Sequence, residues 1–406
     1  MTKIPLSDDM AAPETRAVFA ALEAAGGAAC VRFVGGCVRN ALMGRAISDL
    51  DLAAQLTPDE TEAALAAAGL RSVPTGKAFG TITAVVDGKP FEITSLREDV
   101  ETDGRRAVVR YTTDWAKDAQ RRDFYLNALY ADIEGRVYDP TGEGLGDVAA
   151  GRVRFIGEAE QRIREDYLRI LRFFRFTAGY AREIDARSLA ACVALRNGLD
   201  GLSGERIQQE LLKTLALPSP LRAFEAMLAG GVLGHALPGW RGGDLSVFRA
   251  MLAIAAQPDQ RLIALLDDGG LLAPDALRGV RDRLKLSQRL YVRLKAAHAA
   301  SEALAEGADI RRLIYAHGRE AALDAVALSG AHLGKAPVRV QNLLEDIAAL
   351  AVPAFPLKGA DLIARGLTPG PEVGARLKAI EADWLRHDFS QSVIDAALDR
   401  LAKTPK

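Results

Sequence analysis

One short stretch constrains the fold of this chain more than any other: a β-rich run that enters two glycines and is followed by two aspartates. Residues 31–34 lead into Gly35 and Gly36, and Asp49 and Asp51 stand two positions apart. Glycine lets backbone N–H groups approach a phosphate closely, and the N-terminus of a following helix adds partial positive charge. Side chains two apart in a strand project from one face. The pattern predicts a strand–turn–helix phosphate site with two carboxylates beside it.

The aspartate pair predicts a magnesium site. Mg²⁺ takes one or two carboxylates and completes its shell with water and phosphate oxygens, and two such ions would serve an attacking hydroxyl and a leaving pyrophosphate. Arg39, three residues into the helix after the glycines, is a candidate contact for a terminal phosphate. A lone glycine pair is more often only a turn, and a lone Asp-x-Asp a solvated strand face. The prediction therefore depends on their order and spacing together.

Strand, Gly-Gly, helix and then Asp-Leu-Asp-Leu at this spacing resembles the signature of polymerase-β-type nucleotidyltransferases. The resemblance places an acidic residue in the neighbouring strand. Glu92, which alternates with Phe91 and Ile93 in a strand-like run, is the candidate third catalytic carboxylate. The alternative is an exposed strand glutamate without a catalytic role.

A second polar segment, residues 121–129, supplies candidate contacts for the nucleotide. Arg122 is a bidentate donor suited to phosphate, and Asp123 and Asn127 are acceptors suited to ribose hydroxyls. The alternative is an exposed Arg–Asp pair that caps a helix.

A third segment predicts recognition of the base. Its apolar residues have the spacing of one buried helix face: Ile163, Tyr167, Ile170, Leu171 and Phe174. On one helix, Asp166 and Arg169 would project side by side as acceptor and donor. Cytosine and adenine both present an amino donor beside a ring-nitrogen acceptor, whereas uracil and guanine present the reverse and would leave polar groups unpaired. The alternative is an ordinary Glu165–Arg169 salt bridge, worth about 0.3–0.5 kcal/mol.

The order of these motifs resembles the bacterial class II tRNA nucleotidyltransferase (CCA-adding enzyme) and poly(A) polymerase family, from about residue 30 to residue 215. The shared motifs are Gly-Gly-x-Val-Arg, Asp-Leu-Asp-Leu, Arg-Arg-Asp-Phe and Glu-Asp-x-x-Arg, and residues 203–211 look like the next one. Asn40 stands where the family usually has aspartate, and Tyr125 where it has threonine.

The resemblance implies template-independent addition of nucleotides to an RNA 3′ end. Asp49 and Asp51 would then hold two Mg²⁺ ions. The incoming base would be read by Asp166 and Arg169, with Glu165 organising them. The sugar and phosphates would meet the remaining nucleotide-binding candidates: Gly35, Gly36, Arg39, Arg122, Asp123, Asn127 and Arg172.

The predicted fold is α+β: a polymerase-β-like nucleotidyltransferase head followed by an all-helical neck, body and tail. The boundaries are 1–150 (head), 151–217 (neck), 218–352 (body, RNA binding) and 353–406 (tail, tRNA binding). Head strands are expected at 31–34, 50–53, 79–86, 91–96, 107–111 and 126–133, with helices at 37–43 and 58–68. Later helices are expected at 208–215, 247–256, 276–300, 338–350 and 374–387.

Two activities fit the resemblance, and completion of the tRNA 3′ end from CTP and ATP is favoured over poly(A) synthesis from ATP. The base-reading pair suits both C and A. Residues 97–120 are polar and interrupted by glycine, like the flexible loop of full CCA-adding enzymes, and residues 355–363 with Trp384 look like their tail. A non-catalytic RNA-binding homologue is a third reading, against which the intact Asp49 and Asp51 argue.

The charge balance excludes a uniformly basic nucleic-acid binder, since 52 Lys and Arg face 53 Asp and Glu. Charge is segregated locally, however: residues 278–295 hold seven basic residues against Asp282 alone. Such a segment is expected to meet the tRNA backbone, giving transient binding.

The cysteine count and hydropathy predict a cytoplasmic protein that has no contact with a membrane and is a monomer or weak dimer. Three cysteines cannot form a disulfide framework, and no apolar run approaches the roughly 18 residues that span a bilayer.

Overall fold

The computed structural model describes residues 2–103 and 106–402. The chain divides into two compact units. The first runs to Asp244 and also takes Asp282–Leu286; the second comprises Leu245–Arg281 and the described residues from Ser287 onward. The predicted fold class is confirmed, because a mixed sheet occupies the head and helices make up nearly all of the rest.

A mixed sheet organises the first unit. The strands of the described residues are β1 (Val31–Val34), β2 (Asp51–Ala54), β3 (Arg71–Gly76), β4 (Thr81–Val86), β5 (Lys89–Ser95), β6 (Arg97–Asp103), β7 (Arg106–Tyr111), β8 (Tyr130–Ala131) and β9 (Val137–Tyr138). Seven of them form one sheet in the order β3-β4-β5-β2-β1-β8-β9, and β6 and β7 form a separate ribbon. Among the strands of this described sheet, only β2 and β5 pair in parallel.

Helices surround the sheet and continue beyond it. In the first unit they are α1 (Asp8–Ala11), α2 (Pro13–Gly26), α3 (Gly36–Leu42), α4 (Pro58–Ala67), α5 (Trp115–Gln120), α6 (Gly144–Ala150), α7 (Ala159–Glu165), α8 (Leu168–Tyr180), α9 (Ala186–Ala194), α10 (Gly204–Leu215), α11 (Leu221–Ala229) and α12 (Val232–Ala236). The remaining helices are α13 (Ser246–Ile254), α14 (Pro258–Asp268), α15 (Pro274–Leu284), α16 (Gln288–Ala305), α17 (Ile310–His317), α18 (Arg319–His332), α19 (Pro337–Ala349), α20 (Gly359–Ala364), α21 (Pro371–Arg386) and α22 (Gln391–Ala402).

The pleat of the central strands decides which face of the sheet receives the polar residues. Phe33 of β1 and Leu52 of β2 are fully buried in the core formed with α2 and α4. Because successive side chains alternate between faces, Asp51 projects to the opposite side, where Ala53 packs near Tyr130. Burial of each large apolar side chain in this core contributes about 1.5–3 kcal/mol. The core therefore fixes the direction in which the acidic residue points.

In the second unit, α18 is the central helix and is buried along most of its length. It packs against α13, α16, α17 and α19. Small residues allow this, since a Cβ on Gly330 would lie 2.7 Å from Val340 Cγ2. A separate aromatic cluster around Trp384 joins α21 to α17 through Tyr315.

Several predicted elements differ from the observed ones. The helix expected at 276–300 is two helices, α15 and α16, because Lys285 has positive φ (54°) and the Ser287 side chain caps α16. The strand expected at 126–133 is a 3₁₀ turn (Tyr125–Asn127) followed by the two-residue β8. Residues 97–120, which resembled a flexible loop, instead contain the β6–β7 ribbon and α5 among the described residues, and the strand expected at 107–111 is confirmed as part of β7.

No helix in the described part of the chain has both the length and the apolar character needed to cross a membrane.

Candidate active site

The glycine turn lies where β1 passes into α3. Gly35 has φ 68° and ψ −113°, a conformation that side chains with a Cβ disfavour. A Cβ placed there would lie 3.6 Å from the Asn127 carbonyl oxygen and 3.7 Å from Nη1 of Arg122. Gly36 begins α3 with ordinary space around it. The turn and Arg122 are thus adjacent, although 87 positions separate Gly35 from it in the chain.

The three predicted carboxylates line one cleft. Asp51 is the first residue of β2 and pairs in register with Glu92 of β5. Asp49, Asp51 and Glu92 are all exposed and border a cleft of about 550 Å³ that Lys89 also lines. Asp49 lies before the strand rather than in it, where it accepts a hydrogen bond from Ser48 Oγ (2.8 Å). The expectation that both aspartates belong to one strand was wrong, because pairing of β2 starts at Asp51.

The electrostatics of the cleft favour a bound cation. The pKa of Asp51 is raised because protein atoms partly exclude water from it and because Glu92 and Asp49 repel its charge. Arg122 acts in the opposite direction. A cation in the cleft would relieve the repulsion among the three acids.

The donor chemistry fits Mg²⁺ only if water and phosphate complete its shell. Within residues 2–103 and 106–402, no three Asp, Glu, His or Cys side chains converge closely enough to hold a metal ion by themselves. Asp49, Asp51 and Glu92 instead offer carboxylate oxygens to one open cleft. Mg²⁺ keeps several waters and substrate oxygens, so this open arrangement suits it.

Asp118 of α5 holds Arg121 and Arg122, which together are called the arginine motif. Asp118 was not identified from the sequence. Its buried carboxylate accepts hydrogen bonds from Arg121 Nε (2.9 Å), Arg122 Nη2 (3.0 Å) and the Tyr130 hydroxyl (2.7 Å). Burial alone would raise the pKa of Asp118, but Arg122 and Arg121 outweigh it and lower the pKa to about 2. The spacings i, i+3 and i, i+4 from Asp118 to the arginines were the available signal.

Asp123 and Asn127 belong to a buried network rather than an exposed rim. Asp123 accepts from Asn127 Nδ2 (3.0 Å) and from Nε (2.8 Å) and Nη2 (2.6 Å) of Arg172. Asn127 Oδ1 accepts from Arg39, whose Nη2 donates to the Tyr180 hydroxyl (2.7 Å). Arg39 is buried and stacks on Tyr180. Its observed contacts hold Asn127, in place of the free reach towards a phosphate that the sequence suggested.

The base-reading segment is broken into two helices. α7 ends at Glu165, Asp166 is extended (φ −157°, ψ 105°), and α8 begins at Leu168. The expectation that Asp166 and Arg169 share one helix was wrong. Asp166 instead accepts from the Leu168 backbone N–H (3.1 Å), which favours ending one helix and starting the next.

Arg169 joins this break to the arginine motif. Its Nη1 meets Glu165 Oε2 (2.5 Å) and donates to the Arg162 carbonyl (2.8 Å), while its Nη2 donates to the Arg121 carbonyl (3.1 Å). The Glu165–Arg169 ion pair named as the alternative therefore exists. It also orients Arg169, so the two readings are compatible.

Arg283 and Arg293, two of the seven basic residues in 278–295, are held by groups in the interior of their own units. Arg283 donates to the carbonyls of Leu199 (2.8 Å) and Leu202 (2.9 Å). Arg293 meets the buried Asp324 at 2.9 Å and also pairs with Asp259 (3.0 Å). These two cations therefore serve packing within their own units.

A sheet that presents a glycine turn, paired carboxylates and arginines on one side defines the class of polymerase-β-like nucleotidyltransferases. Residues 31–154 match the family described as the poly A polymerase head domain, and residues 183–242 match a probable RNA and SrmB-binding site of polymerase A.

Relatives that align with most of the chain identify the family within this class of nucleotidyltransferases. Mitochondrial CCA tRNA nucleotidyltransferase 1 of Mus musculus is 33% identical over 92% of this chain and 87% of that protein. A CCA-adding enzyme of Lactobacillus delbrueckii subsp. bulgaricus is 33% identical over 86% of this chain and 88% of its own. The crystal structure of the Bacillus stearothermophilus CCA-adding enzyme in complex with CTP is similar over 96% of this chain and 98% of that chain, with 26% identity and a TM-score of 0.76. The chain belongs to the class II CCA-adding tRNA nucleotidyltransferase and poly(A) polymerase family.

Proposed function

We propose that this protein completes the 3′ end of tRNA by adding C, C and A from CTP and ATP without a nucleic-acid template. The observation that carries the proposal is the hydrogen bond from Arg169 to the Arg121 carbonyl, which joins the base-reading segment to the arginine motif. Relatives named CCA tRNA nucleotidyltransferase or CCA-adding enzyme cover most of the chain and support the same activity.

The reaction is a nucleotidyl transfer. The terminal 3′ hydroxyl of the RNA loses its proton to solvent or a cleft carboxylate, and its oxygen attacks the α-phosphorus of the nucleotide. The bond from that phosphorus to the bridging oxygen breaks, and pyrophosphate leaves. Gly35, Gly36 and Arg122 surround the proposed position of the triphosphate. The Asp118 carboxylate holds Arg122 in place before any nucleotide arrives, which lowers the cost of ordering it.

The acidic cleft is the proposed metal site. Asp49 and Asp51 would hold two Mg²⁺ ions, with Glu92 as the third catalytic carboxylate beside Asp51. When bound there, the metal makes the 3′ hydroxyl easier to deprotonate and pyrophosphate a better leaving group.

The buried network around Asp123 is the proposed support for the sugar and phosphates. Arg172 is its most exposed member, with about a third of its side chain open to solvent, so it is the proposed nucleotide contact. Asp123 and Asn127 orient it, and Arg39 in turn fixes Asn127.

Selection of the base is assigned to Asp166 and Arg169. An acceptor and a donor side by side pair with the amino group and ring nitrogen of C or A, and they leave partners unpaired against U or G. Glu165 orients Arg169 through their ion pair.

Each of the four predicted segments is proposed to have its own function. Residues 1–150 carry out catalysis, 151–217 read the base, and 218–352 and 353–406 bind tRNA. We further propose that the protein works in the cytoplasm, where tRNA, CTP and ATP meet, as a monomer or weak dimer; sedimentation at several concentrations tests the last point.

The test offers one nucleotide at a time to two tRNAs, one ending at the discriminator base and one ending in CC. The proposal predicts use of CTP alone on the first and ATP alone on the second. The matched control is Asp51→Ala, which should bind tRNA and add nothing. Incorporation by Asp51→Ala at the wild-type rate contradicts the assignment of the acidic cleft.

Poly(A) synthesis is the second candidate, favoured by the match of residues 31–154 to a poly A polymerase head domain. It predicts long adenosine runs on any RNA with a free 3′ end and no use of CTP. The same assay therefore separates the two activities.

A further inference from the structure

Two charged side chains of helix α10 contact residues of the proposed nucleotide site. Arg206 and Glu210 are four residues apart and so share one helix face. Arg206 Nη2 meets Asp166 Oδ2 at 2.7 Å, and Glu210 Oε2 meets Arg175 Nε at 2.6 Å. Neither residue belongs to the sugar, phosphate or base contacts assigned above.

Asp166 has both carboxylate oxygens held. Oδ1 accepts from the Leu168 N–H at 3.1 Å, and Oδ2 accepts from Arg206. Two partners on two oxygens fix the plane of the carboxylate, whereas the backbone partner alone would leave it free to rotate about χ2. The direction of the acceptor decides whether an amino group or a carbonyl of the base is tolerated.

The helix that carries Arg206 is fixed by its packing. The next residue, Ile207, is fully buried, and so is Leu211 one turn later. The helix begins against another part of the first unit, since a Cβ on Gly204 would lie 1.9 Å from the Arg283 carbonyl oxygen. A side chain on so constrained a helix can position its partner accurately.

We propose that Arg206 is a positioning residue that sets base selectivity: it orients Asp166 to accept from the amino group of C or A. The inference rests on the proposed function of Asp166. Loss of Arg206 frees the carboxylate to turn, so U and G are rejected less strongly, while the reacting groups at the acidic cleft are untouched.

The experiment compares Arg206→Gln, Arg206→Met and Arg206→Lys with Lys213→Gln, which removes an exposed cation from the same helix. Selectivity is the ratio of kcat/KM for CTP over UTP on tRNA lacking CCA, and for ATP over GTP on tRNA ending in CC. The Gln and Met variants should lose about 10-fold in both ratios, the effect of one lost oriented hydrogen-bond partner. KM for the nucleotide should rise, and KM for tRNA should stay constant.

A merely structural role would lower stability and kcat/KM for all nucleotides alike and leave both ratios unchanged. The positioning role predicts a different pattern. Arg206→Lys keeps a donor near Asp166 and should recover most of the selectivity, and Lys213→Gln should behave as wild type. Asp166→Asn combined with Arg206→Gln should lose no more selectivity than Asp166→Asn alone, because Arg206 acts through Asp166. Wild-type ratios in both the Gln and Met variants would overturn the proposal.

Equilibrium binding separates failure of this inference from failure of the proposed function. If the wild-type protein adds neither C nor A to tRNA, the proposed function fails. Binding of CTP against UTP, which needs no chemistry, then still tests Arg206. Equal binding of CTP and UTP by the wild-type protein, or unchanged preference in Arg206→Gln, would overturn the inference.

Discussion

Asp51 and Glu92 are register partners on the two parallel strands of the sheet, so their side chains project from the same face. Strand pairing places two negative charges together at the edge of an open cleft, and Asp49 adds a third. Repulsion among them contributes to the raised pKa of Asp51. Such an arrangement costs stability unless a cation or a phosphate-bound metal compensates it, which is the electrostatic pattern expected of a catalytic site.

The first prediction concerns the loss of one negative charge from the Asp51–Glu92 pair. Asp51→Asn keeps the shape of the side chain but removes its charge, and nucleotide addition should fall more than about 100-fold, the scale seen for lost transition-state charge stabilisation. Binding of tRNA, measured by filter retention, should be unchanged. Asp87→Asn, at the exposed β4–β5 turn, is the control and should remain fully active.

The second prediction concerns acid stability and Asp118. Its folded-state pKa of about 2 lies below the ordinary 3.8, so the ionised carboxylate stabilises the fold above pH 5 or so. That stabilisation, about 2 kcal/mol, should disappear as the pH falls from about 5 to about 2. Urea denaturation of wild type and Asp118→Asn should show a difference in unfolding free energy that is largest at pH 7 and shrinks towards pH 3. A difference independent of pH would contradict this assignment.

The third prediction addresses the helix break at Asp166. The Tyr167 ring lies directly over Gly198, where an added Cβ would fall 1.9 Å from Cδ1 of the ring. Gly198→Ala should therefore displace Tyr167, lower the unfolding free energy by about 1–3 kcal/mol and raise the KM for CTP and ATP. Gly201→Ala in the same turn has open space and should do neither. Equal behaviour of the two variants would show that Tyr167 does not hold the break.

The fourth prediction separates the two glycines of the turn. Gly35→Ala would force alanine into a positive-φ conformation, at a cost of about 1–3 kcal/mol. Gly36→Ala meets nothing closer than 3.8 Å and should fold normally. Thermal unfolding should distinguish them. If Gly36 faces the triphosphate, Gly36→Ala will weaken nucleotide binding without lowering stability, and unchanged binding would remove Gly36 from the phosphate site.

The local sequence pattern was sufficient to predict those elements that are determined by neighbouring residues. The glycine turn, β1 and a minority of the helices (α3, α4, α10, α13, α19 and α21) were predicted, because apolar periodicity and turn residues are read over a few positions. The common cleft of Asp49, Asp51 and Glu92 was expected from the family resemblance; strand alternation accounts for the face on which Asp51 lies, but not for Asp49, which precedes β2.

Contacts between residues far apart in the chain could not be predicted from the sequence. The break between α7 and α8 leaves the apolar spacing intact, because both helices bury residues in the same unit. At the break, Asp166 caps Leu168, and the Tyr167 ring packs against Gly198, 31 positions away. The pairing of Asp166 with Arg206 likewise spans 40 residues. Periodicity reports which face is buried and says nothing about which charged groups meet.

The most direct test of the account is the length of the product made from tRNA that ends at the discriminator base, with CTP and ATP both present. After a long incubation, sequencing of the product 3′ ends should find three added nucleotides, C, C and A in that order, and no further extension. Continued addition of adenosine, or addition without discrimination between C and A, would contradict the proposed function.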